Sequence, residues 1–390
     1  MCFFIKLNEW LVKMNLRTIL FTVLILLVSN CSKRQSQNAA HESAQRDIIT
    51  DYWQWNPFVK IDSVNPVLTS DPNTTFFCPI RKEKIKWEEK DVFNPAAIVI
   101  QGKLNLIYRA EDVVGKYNGT SRLGLATSYD GLHFTRAPTP IFYPDNDEMK
   151  IFEWEGGCED PRIVESGDGR FILTYTSYDG NIARLCLASS RDLRNWEKHG
   201  LVLGKTENGK YRDLWSKSGS IICRHSGDKL LATKVNNKYW MYWGDTDIFL
   251  ATSEDLINWE PVLDDNGSIK TIFGPRKGYF DSELVEPGPP AIITSDGIWM
   301  IYNSRNHDMW GDASLPEGTY AAGQILFDIN DPEKVLARSE EYFFKPENDY
   351  EITGQVGNVC FIEALVPYNE KWFLYYGTAD SKIAVAVLQE

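Results

Sequence analysis

Apolar and polar positions alternate along this chain in short runs, and the 3.6-residue spacing of an amphipathic helix is nearly absent. Runs such as Leu106-Ile107-Tyr108-Arg109, Leu173-Thr174-Tyr175, Trp240-Met241-Tyr242-Trp243 and Trp299-Met300-Ile301-Tyr302 are rich in aromatic residues and separated by Gly, Asp and Asn. That pattern predicts short strands joined by turns. A longer rhythm overlies it. Ser128-Tyr129-Asp130-Gly131-Leu132-His133-Phe134 returns as Ser190-Arg191-Asp192-Leu193-Arg194-Asn195-Trp196 and as Ser253-Glu254-Asp255-Leu256-Ile257-Asn258-Trp259. The copies start about 62 residues apart, longer than solenoid repeats and near the length of a four-stranded propeller blade. Each follows a strand pattern and supplies an Asp able to bond its own backbone, then an aromatic residue re-entering the core.

Upstream of each copy lies a Pro or Gly followed by small apolar residues: Asn94-Pro95-Ala96-Ala97, Asp160-Pro161-Arg162-Ile163, Ser218-Gly219-Ser220-Ile221 and Pro289-Pro290-Ala291-Ile292. A fifth set stands at Val359 to Ile362, Trp372 to Tyr376 and Ile383 to Val387. Five copies predict an all-β chain forming a five-bladed β-propeller over residues 51–390. A many-stranded β-sandwich fits the turn spacing too, but not the fixed long period. The inserts Asp145 to Trp154 and His307 to Tyr320 exceed hairpin length, and loops over a binding face are expected there.

The first residues carry a different signal. Lys13 and Arg17 precede an apolar run from Ile19 to Val28 that ends at Ser29-Asn30-Cys31, with a polar stretch after it. This resembles a bacterial lipoprotein signal: residues 1–31 would be the signal peptide, Cys31 the lipidated residue and residues 32–50 a flexible linker. An ordinary cleaved signal peptide is the alternative, and translation from Met14 is another open point. A periplasmic or cell-surface lipoprotein is expected, touching the membrane only through its anchor.

Hydrophobic residues make up 43% of the chain, enough for a large core, and the net charge of -13 disfavours nucleic-acid partners. A neutral glycan suits such acidity. Cys78, Cys158, Cys186, Cys223 and Cys360 match no zinc spacing and read as buried small hydrophobes, with one disulfide left possible. The histidines are scattered, so neither a metal nor a cofactor is expected.

Innermost propeller strands line a central channel, so their polar residues meet at one mouth. Asn94, Glu159, Asp160, Arg162, Lys217, Glu283, Glu286, Glu363 and Asp380 are the residues expected there. Paired carboxyls are what glycoside hydrolysis needs, one to protonate the leaving oxygen and one to activate water. Tyr242 and Tyr376, on the aromatic-rich second strands, are candidate sugar contacts. The sharpest local signal is Glu155-Gly156-Gly157-Cys158-Glu159-Asp160-Pro161-Arg162, where glycines permit close approach and adjacent acids meet a base. Lys217, Arg109 and Arg122 serve either the substrate or the neutralisation of the acids around them.

From about Asn94 onward the chain resembles glycoside hydrolase family 130, the mannoside phosphorylases and related mannosidases. The resemblance rests on an ordered set: Asn94-Pro95, Tyr108-Arg109-Ala110-Glu111, Ser121-Arg122-Leu123-Gly124, Gly157 to Arg162, Gly288-Pro289-Pro290, and Tyr375-Tyr376-Gly377-Thr378-Ala379-Asp380. It implies Asp160 as general acid, its proton relayed through a sugar hydroxyl. It also implies Asn94, Arg109, Arg122 and Asp380 as holders of mannose or of neighbouring anionic groups. One departure matters: family phosphorylases carry a His-Arg pair for inorganic phosphate where this chain reads Tyr239-Trp240-Met241-Tyr242-Trp243-Gly244-Asp245. Glu286 and Glu363 near the mouth would repel phosphate yet activate water. The expectation is inverting hydrolysis of β-mannosidic bonds, β-1,2 ones in particular, in mannose-containing oligosaccharides. Phosphorolysis releasing mannose 1-phosphate and non-catalytic glycan binding are the alternatives.

Overall fold

The computed structural model describes residues 53–389; the expected signal peptide, Cys31 and linker lie outside the described residues. From Trp55 on, the chain is one compact unit made almost wholly of strands, with two single-turn helices, Lys150–Glu153 and Asp349–Ile352.

The strands group into five antiparallel units. The first is Asp91–Ile100, Lys103–Glu111, Ser121–Ser128 and Thr135–Arg136, paired in that order. The second runs Gly157–Glu165, Phe171–Tyr178, Ala183–Ser190 and Trp196–Leu201. Ser220–Ile221, Tyr239–Trp243, Ile248–Ser253 and Trp259–Pro261 form the third. In the fourth, Leu284–Pro287 and Ile292–Ile293 share one edge of Ile298–Arg305, followed by Tyr320–Asp328 and Asp331–Arg338. The fifth holds Cys360–Tyr368, Lys371–Thr378 and Lys382–Leu388, and its fourth strand is Phe58–Lys60 from the other end of the chain.

Hydrogen bonds carry each unit to the next: Ser121 N to Gly156 O (2.8 Å), Thr174 Oγ1 to Gly219 O (2.7 Å), Ser220 Oγ to Pro289 O (2.8 Å) and Asn303 Nδ2 to Ile362 O (2.8 Å). Tyr375 OH to Gly131 O (2.7 Å) returns from the fifth to the first. Aliphatic and aromatic side chains fill the seams, as where Ala97, Leu106 and Tyr108 of the first unit meet Val366, Tyr375 and Val385 of the fifth.

The repeated Ser-x-Asp turn is one device used three times. Asp130 Oδ1 accepts from the backbone N–H groups of Leu132 and His133, Asp192 from Arg194 and Asn195, and Asp255 from Ile257 and Asn258, all within 2.8–2.9 Å. These bonds, joined by one from the preceding Ser, hold the Asp192 and Asp255 carboxyls at about 2. The five cysteines of the described residues are all buried and unpaired, so the disulfide left possible by the sequence is absent among them.

Candidate active site

Four of the innermost strands break their pairing register at one level, and there the side chains turn inward. Bulges fall at Phe93/Pro95, Glu159/Arg162 and Ile362/Ala364, which single out Asn94, Asp160 and Glu363. Pro95 and Pro161 cannot donate to a ladder, so a proline costs no hydrogen bond at such a bulge. In the fourth unit the pairing lapses after Pro287, just past Glu286. Asn94, Asp160 and Ser218 hold positive φ (46°, 47° and 56°), a left-handed conformation that costs a non-glycine residue of order 1–2 kcal/mol. A residue keeps such strain where its side chain has to be aimed. Close approach has its own requirement: a side chain on Gly377 would collide with Asn94 Oδ1, so only glycine lets the fifth unit lie against that amide.

The aimed groups form one buried cluster. Asp160 Oδ1 accepts from Asn94 Nδ2 (2.9 Å) and Arg109 Nη1 (3.0 Å), and its Oδ2 lies 3.5 Å from Lys217 Nζ. Arg109 Nη2 also reaches Glu111 (2.7 Å) and Glu159 (3.1 Å). Lys217 Nζ stands 4.0 Å from Glu286 Oε1, and Ser218 Oγ donates to that same oxygen. Lys217 thus bridges Asp160 and Glu286. Asp160 Oδ2 and Glu286 Oε1 are therefore no further apart than those two spans laid end to end.

Arg162 crosses the centre. Its Nη1 bonds Asp160 O (3.1 Å), Nε bonds Gly288 O (3.1 Å) and Nη2 bonds Pro287 O (2.8 Å). Nη1 also lies 2.9 Å from Glu363 Oε1, but no N–H points along that line, and neither Glu363 oxygen has a hydrogen-bond partner. Glu363 is fully buried.

Carboxyls outnumber cations here, and the proton affinities divide accordingly. Burial alone would raise Asp160, but the charges of Arg109, Lys217 and Arg162 outweigh it and hold the carboxyl well below the usual range. Burial wins at the others. It pushes Glu363 far up against the opposing charge of Arg162, raises Glu286 against Lys217, and raises Glu159 against Arg109 with Asp160 adding to the shift. Asp380, buried and facing Arg109 on one side and Asp160 on the other, rises to about 7. Asp160 is thus held as an anion, while Glu159, Glu286, Glu363 and Asp380 keep their protons to higher pH than free carboxyls do.

A cleft of ≈ 270 Å³ opens over this floor, walled by Tyr117, Tyr178 and Trp215 above Arg109, Glu159 and Lys217. It is smaller than the ~300–1,000 Å³ of drug-sized ligand sites, so it takes about one sugar ring. A larger groove of ≈ 760 Å³ lies between Ile141–Met149 and the edge strand at Trp196, apart from the acids, and the chemistry favours the smaller cleft.

The structure therefore gathers Asn94, Arg109, Glu159, Asp160, Arg162, Lys217, Glu286, Glu363 and Asp380, and sets four other expected residues elsewhere. Arg122 is buried against Phe76 and paired with Asp112 (2.7 Å), because strand alternation gives the inward position to Ser121, which accepts from Arg109 (3.0 Å). Tyr242 is buried in the seam between the third and fourth units, stacked on Phe327 and bonded to Pro332 O. Tyr376 gives its hydroxyl to buried Glu351 (2.7 Å). Glu283 pairs with Arg305. Arg162 belongs to the cluster but is 1% exposed, with its donors turned to backbone carbonyls, which leaves little of it for a ligand. Of the inserts, Asp145 to Met149 lines the outer groove, not the cleft. Ser121, Ser218, Glu111 and Trp215 join the site unannounced, and the position of Ser121 and Ser218 beside predicted site residues was the available signal. Among the described residues no His, Cys, Asp and Glu group is arranged to hold a metal ion.

A buried acid pair with bridging cations under an aromatic-walled cleft is the equipment of a carbohydrate-active enzyme. The model of the family described as β-1,4-mannooligosaccharide phosphorylase matches residues 69–390. This chain belongs to glycoside hydrolase family 130, whose members act on mannosides. It is 34% identical over 317 residues to a 1,2-β-oligomannan phosphorylase of Thermoanaerobacter sp. (79% of this chain, 93% of the relative). Among solved structures it is similar to a glycosyl hydrolase from Bacteroides ovatus at 49% identity and a TM-score of 0.84, covering 86% of this chain and 94% of that one. A further structure, described as one of the family's glycoside hydrolases that target β-1,2 mannosidic linkages in Candida mannan, is similar at 47% identity and a TM-score of 0.84, with the same coverage.

Proposed function

We propose that this chain is an inverting glycoside hydrolase acting on β-mannosidic bonds, in particular β-1,2 linkages, in mannose-containing oligosaccharides. The observation that carries the reading is the electrostatics of the centre: Arg109, Arg162 and Lys217 each already face carboxyls, with Glu363 beside Arg162 and Glu286 beside Lys217. Wherever these carboxyls ionise, a phosphate dianion meets like charge in a poorly screened interior. Water meets a base. The stretch Tyr239–Trp243 adds no cation, since Tyr242 and Trp243 are core residues. Identities of 47–49% to structures described as glycosidases, against 34% to the oligomannan phosphorylase, point the same way.

Asp160 acts as acid. It is anionic without substrate, so it takes up a proton as the sugar binds, and Asp380 and Glu159, whose proton affinities burial raises, stand beside it as the sources of that proton. Glu286 or Glu363 activates the water. A five-bladed propeller is the architecture we assign to the five units, supported by the bonds that pass from each unit to the next and from the last to the first. Anchoring through Cys31 at the periplasmic face or cell surface completes the proposal; loss of fatty-acid labelling in Cys31→Ser tests it.

Phosphorolysis remains the second reading because curated relatives are phosphorylases. Incubation with defined mannobioses, with and without inorganic phosphate, separates the two. Free mannose at equal rates supports hydrolysis, and turnover strictly dependent on phosphate overturns it.

A further inference from the structure

Arg162 has no surface to offer a substrate, yet every group it touches belongs to a catalytic candidate or to the two residues that follow one. Its Nη1 holds the carbonyl of Asp160 on its own strand. Nε and Nη2 hold Gly288 O and Pro287 O, the carbonyls that follow Glu286 in the fourth unit. Its charge stands 2.9 Å from Glu363 in the fifth. We infer that Arg162 is a positioning residue that fixes Glu286 and Glu363 relative to Asp160, so that the acid and the water-activating carboxyl keep their separation. This rests on the proposed hydrolysis.

The planar guanidinium makes the arrangement possible. A fork with fixed donor directions meets three backbone carbonyls from two units together where a single ammonium cannot, and it sets its charge against the Glu363 carboxyl of a third. Reacting groups displaced by about 1 Å lose on the order of 100-fold in rate, so geometry held this way governs turnover before it governs binding. Glu363 is faced by Arg162, Asp160, Glu286 and Lys217. Removing Arg162 leaves two acids and one more distant cation around it, which makes Glu363 harder to ionise.

Two variants separate charge from geometry. Arg162→Lys keeps the charge and loses the fork: kcat falls about 100-fold with KM within about threefold of wild type, and the acidic limb of the pH profile stays in place. Arg162→Met loses both: kcat falls as far and the acidic limb moves alkaline by about one pH unit or more. Folding is checked by circular dichroism and thermal melting. A folded Lys variant with wild-type kcat, or one with raised KM and unchanged kcat, overturns the inference. So does failure of both variants to fold, because Arg162 would then be a requirement of the fold and not of the carboxyls. The hydrolytic reading fails separately, on wild-type protein, by needing phosphate.

Discussion

Asp160 gathers its surroundings through charge. With Arg109, Lys217 and Asn94 on its two oxygens, its neutral isostere keeps the shape and loses the proton. Asp160→Asn is expected to cut kcat by at least about 100-fold, the usual worth of a positioned acid, with the fold intact. Release of mannose from mannobiose by the Asn variant at the wild-type rate would place the acid elsewhere. Asp380 gives a pH signature. Its burial as a neutral acid favours the folded state at low pH, and that advantage is lost as pH rises through about 7. Asp380→Asn cannot ionise there, so melting curves of wild type and variant from pH 5 to pH 8 should move in the variant's favour as pH climbs. Parallel curves would remove Asp380 from the cluster's proton inventory. The acids were readable from the chain because they are polar residues on the strands expected to be innermost, whose side chains a repeating architecture brings to one place. Arg122, Tyr242 and Tyr376 were not readable in the same way. A shift of one position moves a strand residue to the other face, and the sequence does not say whether Ser121 or its neighbour points to the centre.

At the scale of elements, the Ser-x-Asp turn was visible as a recurring string, and its physics follows from one carboxyl capping successive backbone N–H groups. Asp255→Ala should cost about 1 kcal/mol, as loss of a comparable cap does, and lower the melting temperature by a few degrees. The wild-type benefit is fully present above the ordinary aspartate value of 3.8 and disappears as pH falls through about 2. Equal melting of the two proteins at pH 7 would reduce the motif to a loop with no energetic role. The fourth strand of the fifth unit was not legible. Phe58–Lys60 is a three-residue strand whose partner, Lys382–Leu388, lies at the far end of the sequence, and nothing local marks so short a segment as a strand.

For the molecule as a whole, that strand is where the two chain ends are fastened. Lys60 Nζ reaches Glu351 (2.8 Å), whose other oxygen accepts from Tyr376, and Glu351 is fully buried. Lys60→Met removes that cation while Tyr376 and the backbone N–H groups of Glu347 and Asn348 still bond the carboxylate, so the loss is that of one charged hydrogen bond, about 1.5–3 kcal/mol. Thermal melting should show a drop of several degrees, and an unchanged midpoint would mean the fastening contributes nothing. The fivefold rhythm announced the units, since each copy carries its own aromatic-rich strand and three of them the Ser-x-Asp turn. The cleft was less visible, because Trp215, Tyr117 and Tyr178 come from separate loops and strands that meet only after folding.

A consequence for biogenesis follows from Phe58–Lys60. These residues leave the ribosome early and find their partner only when Lys382–Leu388 has been made, so the first strand synthesised is the last to be zipped. Until then both margins of the assembly present bare strand edges, the surfaces most prone to pairing with another copy. A chain cut short by a few residues at its carboxyl end would lose more than a strand: it would leave its opening segment with nowhere to dock.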